Sequence, residues 1–449
     1  MIRAEPFVLP PERLEERFED KRPRYEPAEA TAEANRCLYC ADAPCVKACP
    51  TSIDIPTFIH KIGTGNVKGA ARTILSANIL GGSCSQVCPV EVLCVGACVY
   101  NHWEREPIAI GRLQRFAVET TLAQSPRLFE PKPLSGKKVA LVGSGPASVA
   151  AAAMLALEGH SSVIFERKAI PGGLNTLGIA PYKMKGDEAL HEIAWVLSLG
   201  RIELRTGVEI VEKDTADGQV TAESLLRDFD AVFLGLGLGA DSALNVPGEA
   251  GPGVYGATDL IERIKSERAL SFTGAKRAIV VGGGNTALDI AHELALLGLE
   301  VAMVYRRGEA QMSGYAHELD GARLDGVRLL ESRQPVGVVR EGERVVGLKV
   351  VPTVDGAAQA GPESVIPADL IAVAIGQARA TQIAKAFAGV ALDAKGRVVV
   401  DAATHRTGND RVWSGGDCVN GGKEVVNAVA EAKVAVADML QRFNEEKGN

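Results

Sequence analysis

Cysteine is absent from residue 99 to residue 417 of this 449-residue chain, although eight of its nine cysteines fall between Cys37 and Cys98. A redox-active cysteine pair anywhere in that long stretch is excluded. There is no basic surplus either: 49 Lys and Arg face 56 Asp and Glu, a formal charge of −7, which disfavours nucleic acid as a partner because no excess cation is available to neutralise phosphates. The amino-terminal stretch, residues 1–20, is rich in Glu, Arg and Pro and lacks the apolar core of a secretory signal, so a cytoplasmic location is expected. The longest uncharged run, residues 139–157, is interrupted by Gly143-Ser-Gly-Pro146 and reads as a strand turning into a helix, so no membrane span is expected. The seven histidines form no metal-spaced pair, and no nucleophile elbow or HExxH occurs. No side chain is therefore expected to act as catalytic acid, base or nucleophile, and bound cofactors must supply the chemistry.

What is present divides the chain in two. The cysteines read Cys37-x2-Cys40-x4-Cys45-x3-Cys49-Pro50, then Cys84-x3-Cys88-Pro89, then Cys94-x3-Cys98. Closely spaced thiolates ending in Cys-Pro follow iron–sulfur grammar, in which the last cysteine of a run serves a different cluster from the first three. Zinc could also use eight thiolates but gives no reason for an electron carrier, and disulfides do not suit a chain without a secretory signal. Apolar residues at helical spacing (Ile55, Phe58, Ile59, Ile62; Ile110, Leu113, Phe116, Ala117) predict a mainly helical first part. Residues 125–135, with three prolines, read as a linker.

Beyond the linker, strands alternate with helices. An apolar run over 137–142 leads into Gly143-Ser-Gly-Pro-Ala-Ser148, an alanine-rich helix, and a strand over 162–165 ending at Glu166. Gly143 and Gly145 let the backbone approach a pyrophosphate at the helix start, with Pro146, Ala147 and Ser148 completing the turn and Glu166 set to bond ribose hydroxyls. The grammar repeats: a strand over 277–281, the turn Gly282-Gly283-Gly284-Asn285-Thr286-Ala287, a helix, and a strand over 300–305 ending in Arg306-Arg307. A guanidinium pair where an NAD site carries a carboxylate leans towards a 2′-phosphate. The opposing reading is a solvated patch partly offset by Glu309. Apolar strands at 231–235 and 370–376 fit crossings between two such units, and Gly415-Gly416-Asp417 after a late strand suits the ribityl chain of a flavin. Cys418 reads as a packed thiol.

The stretch Cys37-Leu-Tyr-Cys-Ala-Asp-Ala-Pro-Cys-Val-Lys-Ala-Cys-Pro50, with Leu80-Gly-Gly-Ser-Cys-Ser-Gln-Val-Cys-Pro89, Leu93-Cys-Val-Gly-Ala-Cys98, Pro107-Ile-Ala-Ile-Gly-Arg-Leu-Gln-Arg-Phe-Ala117 and Gly172-Gly-Leu-Asn-Thr176, resembles the amino-terminal part of dihydropyrimidine dehydrogenase. The resemblance covers essentially the whole chain. It implies an α/β protein: a helical double [4Fe–4S] domain over 1–133, then an FAD-binding domain over 134–245 and 373–449 with an NAD(P)-binding domain inserted over 246–372. It implies one cluster on Cys37, Cys40, Cys45 and Cys98, and a second on Cys49, Cys88, Cys94 and the side-chain oxygen of Gln114, with Cys84 as the alternative fourth ligand. For FAD it implies Gly143, Gly145, Pro146, Ala147, Ser148, Glu166, Gly173, Leu174, Lys183, Gly416 and Asp417, with Lys183 standing where the large enzyme has arginine. For NADH or NADPH it implies Gly283, Gly284, Asn285, Thr286, Arg306 and Arg307, with Ser313 replacing a further arginine, so both nucleotides stay open. Nothing here resembles that enzyme's FMN barrel or distal ferredoxin module. The resemblance therefore implies the electron-input half of a two-subunit enzyme, completed as a heterotetramer by an FMN and iron–sulfur partner of PreA type that reduces uracil or thymine. The glutamate synthase small subunit shares the architecture, but the longer Cys88–Cys94 interval and Gln114 favour the pyrimidine enzyme. A free-standing NAD(P)H:ferredoxin-type oxidoreductase is the other reading.

Overall fold

The computed structural model describes residues 7–124, 127–213, 216–359 and 361–448. Two five-stranded parallel sheets dominate it. The first runs, in spatial order, Val412–Ser414, Ala231–Leu234, Lys138–Val142, Ser161–Glu166 and Ile202–Thr206. Its central strands are apolar on both faces, as a strand covered by helices on either side requires. The second runs Arg328–Leu330, Glu300–Val304, Arg277–Val281, Leu370–Val373 and Val254–Gly256. The chain leaves the first sheet after Leu234, builds the second, and returns at Val412, so the second nucleotide unit is inserted in the first. The expected boundary after residue 372 falls inside the strand Leu370–Val373. The apolar strands at 231 and 370 are core strands of separate sheets. The crossings follow them, where Gly239 N–H donates to Ala378 O and Ser242 N–H to Gly376 O, at 2.8 and 2.9 Å. The second unit also carries an antiparallel extension, Arg333–Glu341 paired with Arg344–Val354 and then Ser364–Pro367, which the strand-and-helix grammar does not predict.

The first part is helical, and the apolar stretch after residue 55 is two helices, Ile55–Gly63 and Val67–Ala77. Gly65 at positive φ ends the first, and Asn66 caps the second through Gly69 N–H. Helix Ile110–Gln124 packs on Val67–Ala77 and on the short cysteine helix Gly81–Val87. One apolar core joins these helices to Pro146–Leu157 and the carboxy-terminal helix Val425–Gly448 of the first nucleotide unit. Ser125 and Pro126 of the expected linker lie outside the described residues, as do residues 1–6. The rest of the linker is docked: Leu128 is buried and Phe129 packs against Trp195. Further upstream, Leu14 and Phe18 enter the core of the second unit, and Lys21 N–H bonds Tyr182 O at 2.8 Å, strapping the first part across both units. Among the described residues no helix is long and apolar enough to cross a membrane.

Candidate cofactor sites

The thiols sort into two groups. Cys37, Cys40, Cys45 and Cys98 line one cavity with Leu38, Pro44, Ile59 and Tyr100. Burial pushes the Cys45 thiol up to about 11, with Cys37 and Cys98 adding to the effect. Burial likewise raises Cys37, beside Cys40 and Cys98. In the second group, burial pushes Cys94 up to about 12, with Cys49 and, from the first group, Cys45 contributing. Cys88 is raised by its hydrogen bond with Cys84, then by burial and by the nearby thiols Cys84, Cys94 and Cys49. Thiols that raise one another's pKa are a poor resting place for thiolates unless a cation joins them, so the donor set fits a thiolate-bound metal centre. Among the described residues no three His, Cys, Asp or Glu side chains are close enough to share a single ion. Gln114 is buried, and its Nε2 donates to Gly81 O at 2.7 Å on the helix that carries Cys84. The two candidates for the last ligand of the second group therefore stand on packed neighbouring helices.

In the first nucleotide unit Gly143 has φ +89°, and a Cβ there would stand 2.4 Å from Gly235 O, so the turn requires glycine. Ser148, at the third small position, is accommodated because its neighbour across the helix–strand contact is Gly235. Its hydroxyl is buried without a partner. Gly145 caps the helix Pro146–Leu157, whose free N–H groups face outward from the turn. Glu166 ends its strand beside this turn; Oε2 accepts from Ser144 N–H and Oγ–H at 2.9 and 2.7 Å, and Oε1 from Lys168 N–H at 2.8 Å. Gly172 N–H donates to Ser144 Oγ, and Gly173 folds against Gly145, which brings Leu174 to the same cradle. Gly416 sits against Ala147, and burial raises the pKa of Asp417. Three chain segments distant in sequence thus converge on one helix N-terminus, as an FAD site demands.

Lys183, expected at the flavin, is ion-paired across the two nucleotide units. Its ammonium is 2.6 Å from Asp289 Oδ1 and 3.1 Å from Glu318 Oε1, both in the second unit, so it braces the two nucleotide units against each other. Any flavin contact would have to share that pair.

In the second unit the backbone of Gly283 lies on the Tyr305 ring, where a Cβ would collide at 2.7 Å. Gly283 O accepts from Ser313 and Gly314 N–H, and Asn285 Oδ1 from Tyr315 N–H, which folds the loop containing Ser313 over the turn. Gly284 caps the helix Asn285–Leu296, with Thr286 in its first turn. Arg306 is exposed, while Arg307 lies over Tyr305 with its guanidinium 5.5 Å from the ring centroid and its Nε unpartnered. Glu309 does not offset them: it pairs with Arg323 at 2.9 Å. Among the described residues neither arginine has a carboxylate partner.

Some residues carried no sequence signal. Glu192, on the helix Gly186–Ser198 of the first unit, accepts from Gly82 and Ser83 N–H at 2.8 and 3.1 Å and from Ser83 Oγ–H, capping the cysteine helix. Asn175 Nδ2 donates to the same Ser83 Oγ at 3.0 Å. The flavin-side loop is thereby bonded to the helix bearing Cys84. Glu192 is an ordinary helical glutamate in sequence, and only its long-range partners mark it.

Two dinucleotide folds, one nested in the other and joined to a thiol-rich helical domain, define a flavoprotein oxidoreductase with an attached iron–sulfur module. The chain belongs to the pyridine nucleotide-disulphide oxidoreductase family, whose sequence model matches residues 137–432, and residues 14–126 match the dihydropyrimidine dehydrogenase domain II, 4Fe-4S cluster, family. It is 34% identical to the glutamate synthase [NADPH] small chain of Halomonas elongata, over 98% of this chain and 96% of that one. It is 33% identical to the NAD-dependent dihydropyrimidine dehydrogenase subunit PreT of Escherichia coli O157:H7, over 94% and 96%. Among solved structures, thioredoxin reductase of T. acidophilum shares the fold with a TM-score of 0.53 at 21% identity, covering 69% of this chain and 99% of that one. FprA of Mycobacterium tuberculosis in complex with NADPH does so at 0.54 and 20%, covering 71% and 86%. The protein is thus an NAD(P)-dependent flavin oxidoreductase whose cofactors are FAD, a nicotinamide nucleotide and [4Fe–4S] clusters. The disulfide of the family name has no counterpart here, since Cys418 is buried against Leu234 O and Ser414 Oγ.

Proposed function

We propose that this chain is the electron-input subunit of a dihydropyrimidine dehydrogenase, taking electrons from NAD(P)H and delivering them to an FMN-bearing partner of PreA type that reduces uracil or thymine to the 5,6-dihydropyrimidine. FAD, when bound, accepts the electron pair of a hydride and releases it singly, which is what iron–sulfur clusters require. The residues of this chain bind and orient. The turn at Gly143, the loop at Gly173–Leu174 and Asp417 hold the flavin. The turn at Gly283–Thr286 holds the nucleotide pyrophosphate, and the unpaired Arg306 and Arg307 offer a 2′-phosphate two cations, which supports NADPH. Cys37, Cys40, Cys45 and Cys98 hold one cluster; Cys49, Cys88 and Cys94, completed by Gln114 or Cys84, hold the other. The observation that carries the pyrimidine reading is Gln114, buried against the cysteine helix with its nitrogen committed to Gly81 O. The similarity to glutamate synthase small chains favours a second reading, in which the partner is the glutamate-forming subunit.

The deciding experiment is anaerobic purification of the tagged chain with its bound partner, followed by NADH and NADPH oxidation with uracil, with thymine, and with glutamine plus 2-oxoglutarate. Pyrimidine-dependent oxidation is expected. Oxidation dependent on glutamine and 2-oxoglutarate establishes the second reading, and reduction of ferredoxin alone leaves only a general electron-input role.

A further inference from the structure

Charged groups at the seams of this molecule are mostly matched by opposite charge. Arg115, between the cysteine domain and the flavin unit, is held by Asp20, Glu119 and Glu188, and Lys183 by Asp289 and Glu318. Lys433 differs. It stands on the carboxy-terminal helix Val425–Gly448 and reaches into the cysteine domain, where its half-buried ammonium donates to Thr51 O and Ala77 O, each at 3.0 Å. Ala77 ends the helix Val67–Ala77, so that carbonyl lies at the negative end of a helix dipole. Thr51 follows Cys49-Pro50, and its Oγ1 lies 3.3 Å from Cys49 Sγ. Among the described residues the ammonium has no carboxylate ion-pair partner; burial pushes its pKa down, and Cys49 pulls it back up.

An ammonium held only by neutral carbonyls keeps its charge uncompensated, which is costly at a half-buried seam. The opposite charge that would compensate it is thiolate, and Thr51, whose carbonyl it holds, bonds through its hydroxyl to Cys49 of the second cysteine group. In the first group the carboxylate of Glu33 adds to the upward shift of Cys37. We propose that Lys433 is a positioning residue for charge: it holds the reduction potential of the cluster on Cys49, Cys88 and Cys94 above the value those ligands would otherwise set. The inference rests on the iron–sulfur reading above. One-electron reduction by the flavin, itself reduced by NAD(P)H, adds one negative charge to the cluster, and a fixed cation favours that form. Cluster potentials follow local charge and hydrogen bonding to the sulfurs. The flavin unit, through its last helix, thereby sets how readily the neighbouring cluster takes electrons.

The test is a potentiometric titration of the full-length holoprotein followed by electron paramagnetic resonance, on wild type, Lys433→Met, Lys433→Gln and Lys433→Arg. Loss of the charge is expected to lower the midpoint of one cluster by at least a tenfold shift in its oxidised-to-reduced ratio, about 59 mV for one electron. The other cluster keeps its midpoint, and Lys433→Arg stays at wild type. Lys433→Gln keeps a donor for the two carbonyls and carries the test should Lys433→Met fail to assemble. If both neutral variants lose thermal stability while the midpoints stay put, Lys433 is only a staple and the proposal falls alone. If the wild-type chain binds no iron and sulfide, the iron–sulfur reading falls with it.

Discussion

In the first nucleotide unit the turn Gly143–Ser148 is enclosed: Ser144, Ser148 and Glu166 are buried, Gly172 closes on Ser144 Oγ, and Asn175 ties the loop to Ser83 of the cysteine helix. In the second unit the strand that follows the equivalent turn leads out to solvent, with Arg306 exposed and, among the described residues, neither Arg306 nor Arg307 ion-paired. One backbone plan is thus finished for two uses. Enclosure from three segments suits a flavin that stays bound, and an open cationic rim suits a nucleotide that must enter and leave with each turnover.

Breaking the enclosed turn has the largest expected effect. Gly143→Ala places a Cβ 2.4 Å from Gly235 O at a backbone angle that disfavours alanine, so flavin binding is expected to be abolished, read as loss of the visible flavin absorbance after desalting. The tie between the enclosed unit and the cysteine domain should depend on pH. Burial pushes Glu192 from its ordinary 4.5 up to about 7, so between those values the folded chain holds a proton that the unfolded chain has released. That stability is fully present below pH 4.5 and is lost as pH rises through 7, by about 3 kcal/mol in all. Denaturant melts from pH 5 to 8 should show the decline, and Glu192→Gln should flatten it; a flat wild-type profile would refute the assignment.

The open rim is tested by Arg306→Ala with Arg307→Ala. Losing charge-assisted bonds of about 1.5–3 kcal/mol should raise the KM for NADPH roughly 10- to 100-fold and leave that for NADH nearly unchanged. Equal effects on both nucleotides would make the pair a solvated patch. The smallest change is Ser148→Ala, which removes a buried hydroxyl without a partner and should raise stability by about 1 kcal/mol with flavin content unchanged. A fall in flavin content would instead assign that hydroxyl to the cofactor.

Local chemistry made much of this legible. The glycine turns, the strand ending at Glu166 and the cysteine spacings each mark a candidate site within a few residues, because a pyrophosphate needs close backbone approach and a cluster needs several thiolates. The linker was less legible: its prolines say only that no regular element forms, while the docking of Leu128 and Phe129 depends on a surface built elsewhere. Lys183 shows the same limit, since its pairing with Asp289 and Glu318 joins residues more than a hundred positions apart.

The sequence by itself determined two nucleotide-binding units and a thiol-rich first part, because each is written in short-range residue patterns; the nesting of one unit in the other was implied only by the family resemblance. Tertiary structure alone decided how those parts face one another. It set Glu192 on the cysteine helix, Lys433 on the carbonyl of Thr51, and Leu14 and Phe18 in the core of the second unit. Those contacts arise where separately folded surfaces meet, and a buried charge gains or loses its partner only there.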